Sequence, residues 1–165
     1  MRGAGGSVQG AAPGRAVDCA RPALQTASMT DPIDLSWRSA DGLTLHARDY
    51  PGRPDRPPVI CLHGLTRNAR DFEDLAPALV DRTGRRVLAV DVRGRGGSDK
   101  AADPLTYNPG TYAADVLALL DDQAIASAAF IGTSMGGLIM MTLAAMRPTA
   151  IAAAVLNDVG PEIAP

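Results

Sequence analysis

Four short apolar runs, each typical of a strand buried on both faces, set the narrowest limit on how this chain can fold. They are residues 58–62, 86–91, 127–132 and 150–156. The segments between them place apolar residues at helical spacing. Buried strands that alternate with helices favour a parallel sheet, because consecutive parallel strands must be joined by a crossover. We therefore predict an α/β fold.

A β-hairpin is predicted ahead of the first run. Residues 33–39 and 43–50 flank Asp41-Gly42, a pair that favours a tight turn between strands. From residue 43 to residue 48 apolar and polar side chains alternate, which indicates a ribbon with one buried face. His46 falls on the polar face, where we expect it to be solvated.

Three helices are predicted between and after the runs. Asn68 is the expected N-cap of a helix over residues 72–80, and Asn108-Pro109 is the expected start of a second helix. The third, residues 136–146, is apolar on most sides and is expected to be central. The predicted architecture is three-layer α/β/α with a mostly parallel sheet, cut off after about the sixth strand.

The N-terminal stretch differs in composition from the rest of the chain. Residues 1–30 are rich in Gly, Ala and Pro and contain no apolar core of the kind a secretory signal needs. We expect a disordered leader or a start assigned too early, with Met29 as the true start; a transit-like segment is the other option. The remaining residues, 31–165, are expected to form the domain.

Charge and composition exclude several classes of partner. The net charge is −2 and aromatic residues make up 4% of the chain, so neither nucleic acid nor an anionic membrane surface is favoured. The apolar stretch at residues 138–146 is shorter than the roughly 18 residues of a membrane span. The cysteines are Cys19 and Cys61, a pair that predicts no disulfide framework and fits the cytoplasm. No metal site and no cofactor are expected, and the oligomeric state is left open.

The motif Gly132-x-Ser134-x-Gly136-Gly137 lies between a predicted strand and a predicted helix. In that context G-x-S-x-G is the pattern of a nucleophile elbow, a sharp turn that lifts a serine hydroxyl above the sheet. The glycines leave room for the turn, and Gly137 is expected to let helix and sheet approach closely. The alternative is an ordinary Gly-Ser turn without catalytic meaning.

A second motif, His63-Gly64-Leu65, follows the first buried strand directly. A turn at that edge can aim a backbone N–H towards the nucleophile, so Leu65 N–H and Met135 N–H are the predicted oxyanion donors. His63 precedes Ser134 and is interpreted as shaping the loop. On its own a His-Gly pair is a weak signal.

The third motif is the glycine-rich loop at residues 91–99. It fits neither the P-loop pattern nor G-x-G-x-x-G. We interpret it as a tight loop at the carboxyl edge of the sheet, where open α/β sheets place their sites.

Together and in this order, the three motifs resemble the α/β-hydrolase family over residues 33–165. The resemblance implies a triad acid after a later strand and a histidine after the last one. Serine at position 134 looks like the esterase, lactonase and C–C hydrolase branches, whereas the epoxide hydrolase and haloalkane dehalogenase branches would carry aspartate there. A lipase is less favoured, because nothing in the sequence indicates an interfacial face.

The catalytic histidine implied by the family is missing from this sequence. The two histidines, His46 and His63, precede Ser134, and the acids after it are Asp158 and Glu162. Asp158 follows the last run at the site edge and is a candidate triad acid, although the family more often places the acid one strand later.

The sequence therefore predicts a serine hydrolase that acts on an ester, lactone or related small acyl substrate through an acyl-enzyme on Ser134. Without the histidine, the chain is expected to be inactive by itself. The alternative is a non-catalytic remnant or a half-domain that needs a complementing chain.

Overall fold

A computed structural model describes Met1 and residues 31–159, in which a six-stranded sheet carries helices on both faces. The strands are β1 (Ile33–Arg38), β2 (Thr44–Tyr50), β3 (Val59–Leu62), β4 (Val87–Asp91), β5 (Ala128–Thr133) and β6 (Ile151–Asn157). Their order is β1-β2-β4-β3-β5-β6, with β2 antiparallel to both neighbours and the remaining pairs parallel. The predicted α/β class and mostly parallel sheet are confirmed. Apart from Met1, the predicted leader lies outside the described residues.

The predicted hairpin is present as β1 and β2. Ser39 N–H donates to the Leu43 carbonyl at 3.0 Å, and Gly42 has a φ of +86°, which suits glycine. Leu45 and Ala47 are buried, as the alternation predicts.

The helices are α1 (Leu75–Thr83), α2 (Pro109–Asp122) and α3 (Met135–Met146). Asn108 caps α2 as predicted, and its side chain accepts from Thr111 N–H at 3.0 Å. Asn68 is an N-cap as predicted, and its side chain accepts from Arg70 N–H at 2.9 Å. The element that it caps is a short 3₁₀ turn, Ala69–Phe72, whereas α1 begins later than predicted, at Leu75.

Two apolar clusters cover the two faces of the sheet. The larger joins α2 and α3 to one face through residues such as Leu119, Phe130 and Ile139. The smaller lies under α1 on the other face and includes Cys61 and Phe72. These clusters confirm the three-layer arrangement.

The sixth strand departs from its predicted burial. Residues 152–157 are exposed although their sequence is that of a buried strand. Within residues 31–159, β6 pairs only with β5 and ends the sheet. The apolar pattern identified the strand correctly, but burial also needs covering layers.

No helix in the described part of the chain is long and apolar enough to cross a membrane.

Candidate active site

Ser134 occupies a strained turn between β5 and α3. Its φ is 50° and its ψ is −112°, a conformation that non-glycine residues rarely adopt. A Cβ at position 132 would lie 2.3 Å from the Met140 sulfur, and one at position 136 would lie 2.2 Å from the Leu62 carbonyl oxygen. The elbow shape predicted from the sequence is therefore present, and it requires glycine at both positions.

The closest approach of helix and sheet is at Gly136, and Gly137, the residue expected from the sequence, has a looser one. A Cβ at position 137 would meet side chains at and just beyond the end of β6, Val159 at 2.9 Å and Leu156 at 3.4 Å. The two neighbours point in different directions because successive helical residues are rotated by about 100°.

The Ser134 side chain lies at the N-terminus of α3. Its backbone N–H donates to the Asn157 carbonyl at 2.9 Å, which ties the turn to β6. Its hydroxyl does not cap α3 and is partly exposed. Among residues 31–159 the Ser134 hydroxyl has no hydrogen-bond partner. The first N–H groups of α3 favour negative charge beside it.

The His63-Gly64-Leu65 loop lies next to this turn. A Cβ at position 64 would be 3.9 Å from the Ser134 Cβ. In the described part of the chain no group accepts from Leu65 N–H, and Met135 N–H opens α3 where helical geometry leaves it unpaired. The structure thus brings Ser134 together with the loop that carries the predicted donor Leu65.

His63 is fully buried and fixed at both ring nitrogens. Val92 N–H donates to Nε2 at 3.1 Å, so Nε2 carries no proton and Nδ1 donates to the Gly64 carbonyl at 2.7 Å. That carbonyl belongs to the same peptide group as Leu65 N–H. His63 therefore orients the peptide that carries the predicted oxyanion donor, and burial lowers the pKa of His63 and favours the neutral ring.

His46 is not solvated, contrary to the sequence prediction. Its Nδ1 lies 2.8 Å from Asp91 Oδ2 and its Nε2 lies 3.0 Å from Asp34 Oδ1. Its partners are 12 and 45 residues away in the chain, so strand alternation alone could not reveal them. Neither histidine is available to Ser134 as a base.

The glycine-rich loop wraps around the Asp91 side chain. One carboxylate oxygen accepts from Ala69 N–H at 2.6 Å and the other from Gly97 N–H at 2.9 Å, while Ser98 Oγ donates to the Asp91 carbonyl at 2.6 Å. The predicted tight loop is confirmed, and it is also tied to neighbouring segments through Thr44 and Ala69.

An ion network that sequence reasoning missed is centred on Arg93, a residue of this loop. Arg93, with 2% of its side chain exposed, donates to both carboxylate oxygens of Asp115 at 2.7 Å and also to Asp41. The hydrogen bond from Arg93 lowers the pKa of Asp41 to about 2, and the paired carboxylates raise that of Arg93. No local motif could have linked residues so distant in the chain.

Asp158 leaves the sheet at the same edge as Ser134. Thr133 and Asn157 are register partners on β5 and β6, and Ser134 and Asp158 are the residues that follow them. Asp158 has a φ of 57° and is exposed. No side-chain hydrogen bond holds it within the described residues, so the structure places it near the site edge without giving it a partner.

Comparison with known proteins gives one consistent family. The model of the alpha/beta hydrolase fold family matches residues 57–165. A 3-hydroxybutyrate-oligomer hydrolase from Cupriavidus necator is 43% identical over 69% of this chain and 39% of its own length. An sn-1-specific diacylglycerol lipase from Danio rerio is 36% identical over 78% of this chain and 39% of its own length.

Solved structures agree on the fold. An alpha/beta hydrolase from Novosphingobium aromaticivorans aligns with a TM-score of 0.76 at 57% identity, over 82% of this chain and 47% of that one. Epoxide Hydrolase A from Mycobacterium thermoresistibile aligns with a TM-score of 0.69 at 34% identity, over 76% of this chain and 38% of that one. The chain therefore spans about two fifths of the curated relatives and less than half of these structures.

Proposed function

Because this chain belongs to the α/β-hydrolase family, we propose that it carries the nucleophile and oxyanion donors of a serine hydrolase acting on an ester, lactone or related acyl substrate. The observation that carries the proposal is the strained, positive-φ Ser134 at a strand-to-helix turn, beside the Gly64-Leu65 loop. Strain of this kind persists at functional sites where the surrounding packing enforces it.

The chemistry follows from the groups at this turn. Ser134 Oγ attacks the carbonyl carbon, and the carbonyl oxygen becomes an oxyanion that accepts from Leu65 N–H and Met135 N–H. Collapse of the tetrahedral intermediate expels the alcohol and leaves an ester on Ser134, which water then hydrolyses. The Ser134 proton must pass to a base and then to the leaving alcohol.

We propose that the base is a histidine outside these 165 residues. Both ring nitrogens of His63 are hydrogen-bonded to backbone, and those of His46 face Asp34 and Asp91. Asp158 is the candidate acid within the chain. Loss of a triad histidine removes about 10⁶ of the rate, so the chain alone is expected to show negligible turnover.

The substrate class rests on the residue at the elbow and on the relatives. The relatives include an oligomer hydrolase and lipases, which supports an ester as the bond that is cleaved. A lipase is therefore again a candidate function, although the sequence disfavoured it. Epoxide hydrolases are also similar, but the family resemblance gives them aspartate where this chain has Ser134. The proposal includes a cytoplasmic location, which the free, buried Cys61 supports.

The second candidate is a non-catalytic remnant or a half-domain completed by another chain. The observation that favours it is the exposed face of β6 at the end of the described sheet.

Chemical rescue separates the two candidates. Imidazole in solution can replace a missing general base, so we expect it to raise Ser134-dependent hydrolysis of p-nitrophenyl acetate by about 10²-fold. Ser134→Ala is the control for direct catalysis by imidazole. The acetylated Ser134 peptide is identified by mass spectrometry.

The outcomes are distinct. Acetylation of Ser134 that depends on imidazole supports the serine hydrolase. Equal turnover by Ser134→Ala with no acetylated peptide supports the non-catalytic candidate. Rapid turnover without imidazole that is lost in Ser134→Ala contradicts the proposed missing base.

A further inference from the structure

The loop from residue 63 to residue 69, the oxyanion loop, is tied at both ends to the end of β4. At its start Val92 N–H donates to His63 Nε2 at 3.1 Å. At its end Ala69 N–H donates to Asp91 Oδ1 at 2.6 Å. Hydrogen bonds to a carboxylate are shorter and stronger than those between neutral groups, so the Asp91 contact is the firmer of the two.

The Asp91 carboxylate is shared among three segments. Its side chain is 5% exposed, and Oδ2 accepts from Gly97 N–H at 2.9 Å and lies 2.8 Å from His46 Nδ1, while Oδ1 holds the oxyanion loop. A Cβ at position 96 would lie 2.2 Å from the carboxylate atoms, so the glycine-rich loop closes tightly over them. The carboxylate therefore fixes the end of the oxyanion loop against β2 and the glycine-rich loop.

The peptide that carries the predicted oxyanion donor lies between the two ties. Arg67 N–H donates to the Gly64 carbonyl at 3.1 Å, and that carbonyl belongs to the same peptide group as Leu65 N–H. A Cβ at position 64 would be 3.9 Å from the Ser134 Cβ. Because Arg67 lies two residues before Ala69, release of Ala69 is expected to loosen this peptide as well.

We propose that Asp91 is a positioning residue, which holds Leu65 N–H in place for the oxyanion that forms when Ser134 attacks. This inference rests on the proposed function and adds to it a residue that touches no substrate. A donor that is fixed in advance contributes about 10²–10³-fold to the rate, and a displacement of about 1 Å forfeits much of that gain.

The competing role for Asp91 is to stabilise the fold and nothing more. Asp91→Asn separates the two roles, because an amide has one oxygen acceptor in place of two. Its oxygen is expected to keep the two partners on the Oδ2 side, Gly97 N–H and His46. Its NH₂ group then faces Ala69 N–H, so that two donors meet and the oxyanion loop is released.

Asp49→Asn is the matched control. Asp49 pairs with Arg86 at 2.7 Å and, like Asp91, has a largely buried side chain. In the antiparallel register of β2 and β4 it lies opposite Leu88, whereas His46 lies opposite Asp91. The control therefore changes a paired carboxylate into an amide on the same two strands, away from the oxyanion loop.

Amide hydrogen exchange followed by nuclear magnetic resonance tests whether Asp91 holds the loop. Relative to the amides of α2, we expect Asp91→Asn to speed exchange of both Ala69 and Arg67 N–H by at least about tenfold, and Asp49→Asn to leave both unchanged. Faster exchange of Ala69 alone is the simple loss of its acceptor and overturns the proposal. If Asp91→Asn fails to fold, the wild-type chain decides: Ala69 and Gly97 N–H should open together with one free energy, and independent opening overturns the proposal.

Imidazole-dependent acylation of Ser134 tests what the loop does for the chemistry. The probes are p-nitrophenyl acetate and its thiono analogue, in which sulfur, a weak acceptor, replaces the carbonyl oxygen. We expect Asp91→Asn to lower the rate with the acetate by at least about tenfold and the rate with the thiono analogue much less, because the sulfur gains little from Leu65 N–H. Asp49→Asn should leave both rates unchanged.

An equal fall for the two esters, or no fall for the acetate, overturns the positioning role. If the wild-type chain shows no imidazole-dependent acetylation, the proposed function is refuted. Faster exchange of Arg67 N–H in Asp91→Asn would then still leave Asp91 standing as the residue that positions this loop.

Discussion

Two adjacent glycines of α3 offer a matched test of how closely this helix packs on the sheet. A Cβ at position 136 would lie 2.2 Å from the Leu62 carbonyl oxygen, which is backbone inside the central strand β3. A Cβ at position 137 would lie 2.9 Å from a methyl group of Val159, which can rotate or shift. The two positions share one helix and one substitution, Gly→Ala.

The expected magnitudes follow from these contacts. Gly136→Ala must open about 1 Å between α3 and β3, an overpacking that costs about 3 kcal/mol at the upper end of its range. The gain in helix propensity offsets about 1 kcal/mol, which leaves a loss of about 2 kcal/mol. Gly137→Ala has the same gain, and the 2.9 Å contact offsets part of it because the Val159 side chain must shift, so we expect its free energy of unfolding to stay within about 1 kcal/mol of wild type.

Urea denaturation followed by circular dichroism measures the free energy of unfolding of both variants. In a thermal melt, a loss of about 2 kcal/mol lowers the melting temperature of a chain of this size by roughly 4–8 °C. Failure of Gly136→Ala to fold while Gly137→Ala folds has the same meaning. Equal midpoints, or a less stable Gly137→Ala, would show that the packing argument is wrong.

Three further predictions concern stability and association. Burial keeps His63 neutral in the folded chain, whereas in the unfolded chain His63 takes up a proton near pH 6.5. The contribution of His63 to stability is therefore complete above that pH and is lost as pH falls below it. The free energy of unfolding between pH 5 and 7 should depend less on pH in His63→Asn than in wild type, and equal slopes of the two curves would contradict this. Asp115→Asn should cost about 3 kcal/mol, because it removes the buried carboxylate that faces Arg93 and leaves only the half-exposed Asp41 as its charge partner. Asp41→Asn, at a side chain 44% exposed, should cost less than about 1 kcal/mol. The reverse order of urea midpoints would refute the assignment. The uncharged edge of β6 should promote self-association of the chain. In sedimentation velocity Val155→Lys should weaken this association, whereas the control Leu105→Lys, at another exposed position, should not. Equal effects of the two variants would show that the β6 edge is not the cause.

Features governed by local rules could be predicted from the sequence. The Asp41-Gly42 turn, the Asn108 cap and the Ser134 turn each depend on residues within a few positions of one another. Strand identity likewise followed from short apolar runs. In each case the physical cause, steric or hydrogen-bonding, is contained in the segment itself.

Features that depend on distant partners could not be predicted. His46 was expected to be solvated because the pattern of its own strand cannot reveal Asp91, its partner on a neighbouring strand. The Arg93–Asp115 pair joins a loop to a helix. The division of roles between Gly136 and Gly137 depends on how α3 is rotated against β3, and the sequence motif leaves that rotation unspecified.

The network around Asp115 has a consequence for local opening of the protein. Arg93 joins the hairpin turn to α2, and the indole N–H of Trp37 on β1 donates to the Asp115 carbonyl at 3.0 Å. Segments joined in this way exchange their amide hydrogens as one cooperative unit. Trp37 is also the sole tryptophan of the chain, so its fluorescence should report when the hairpin separates from α2.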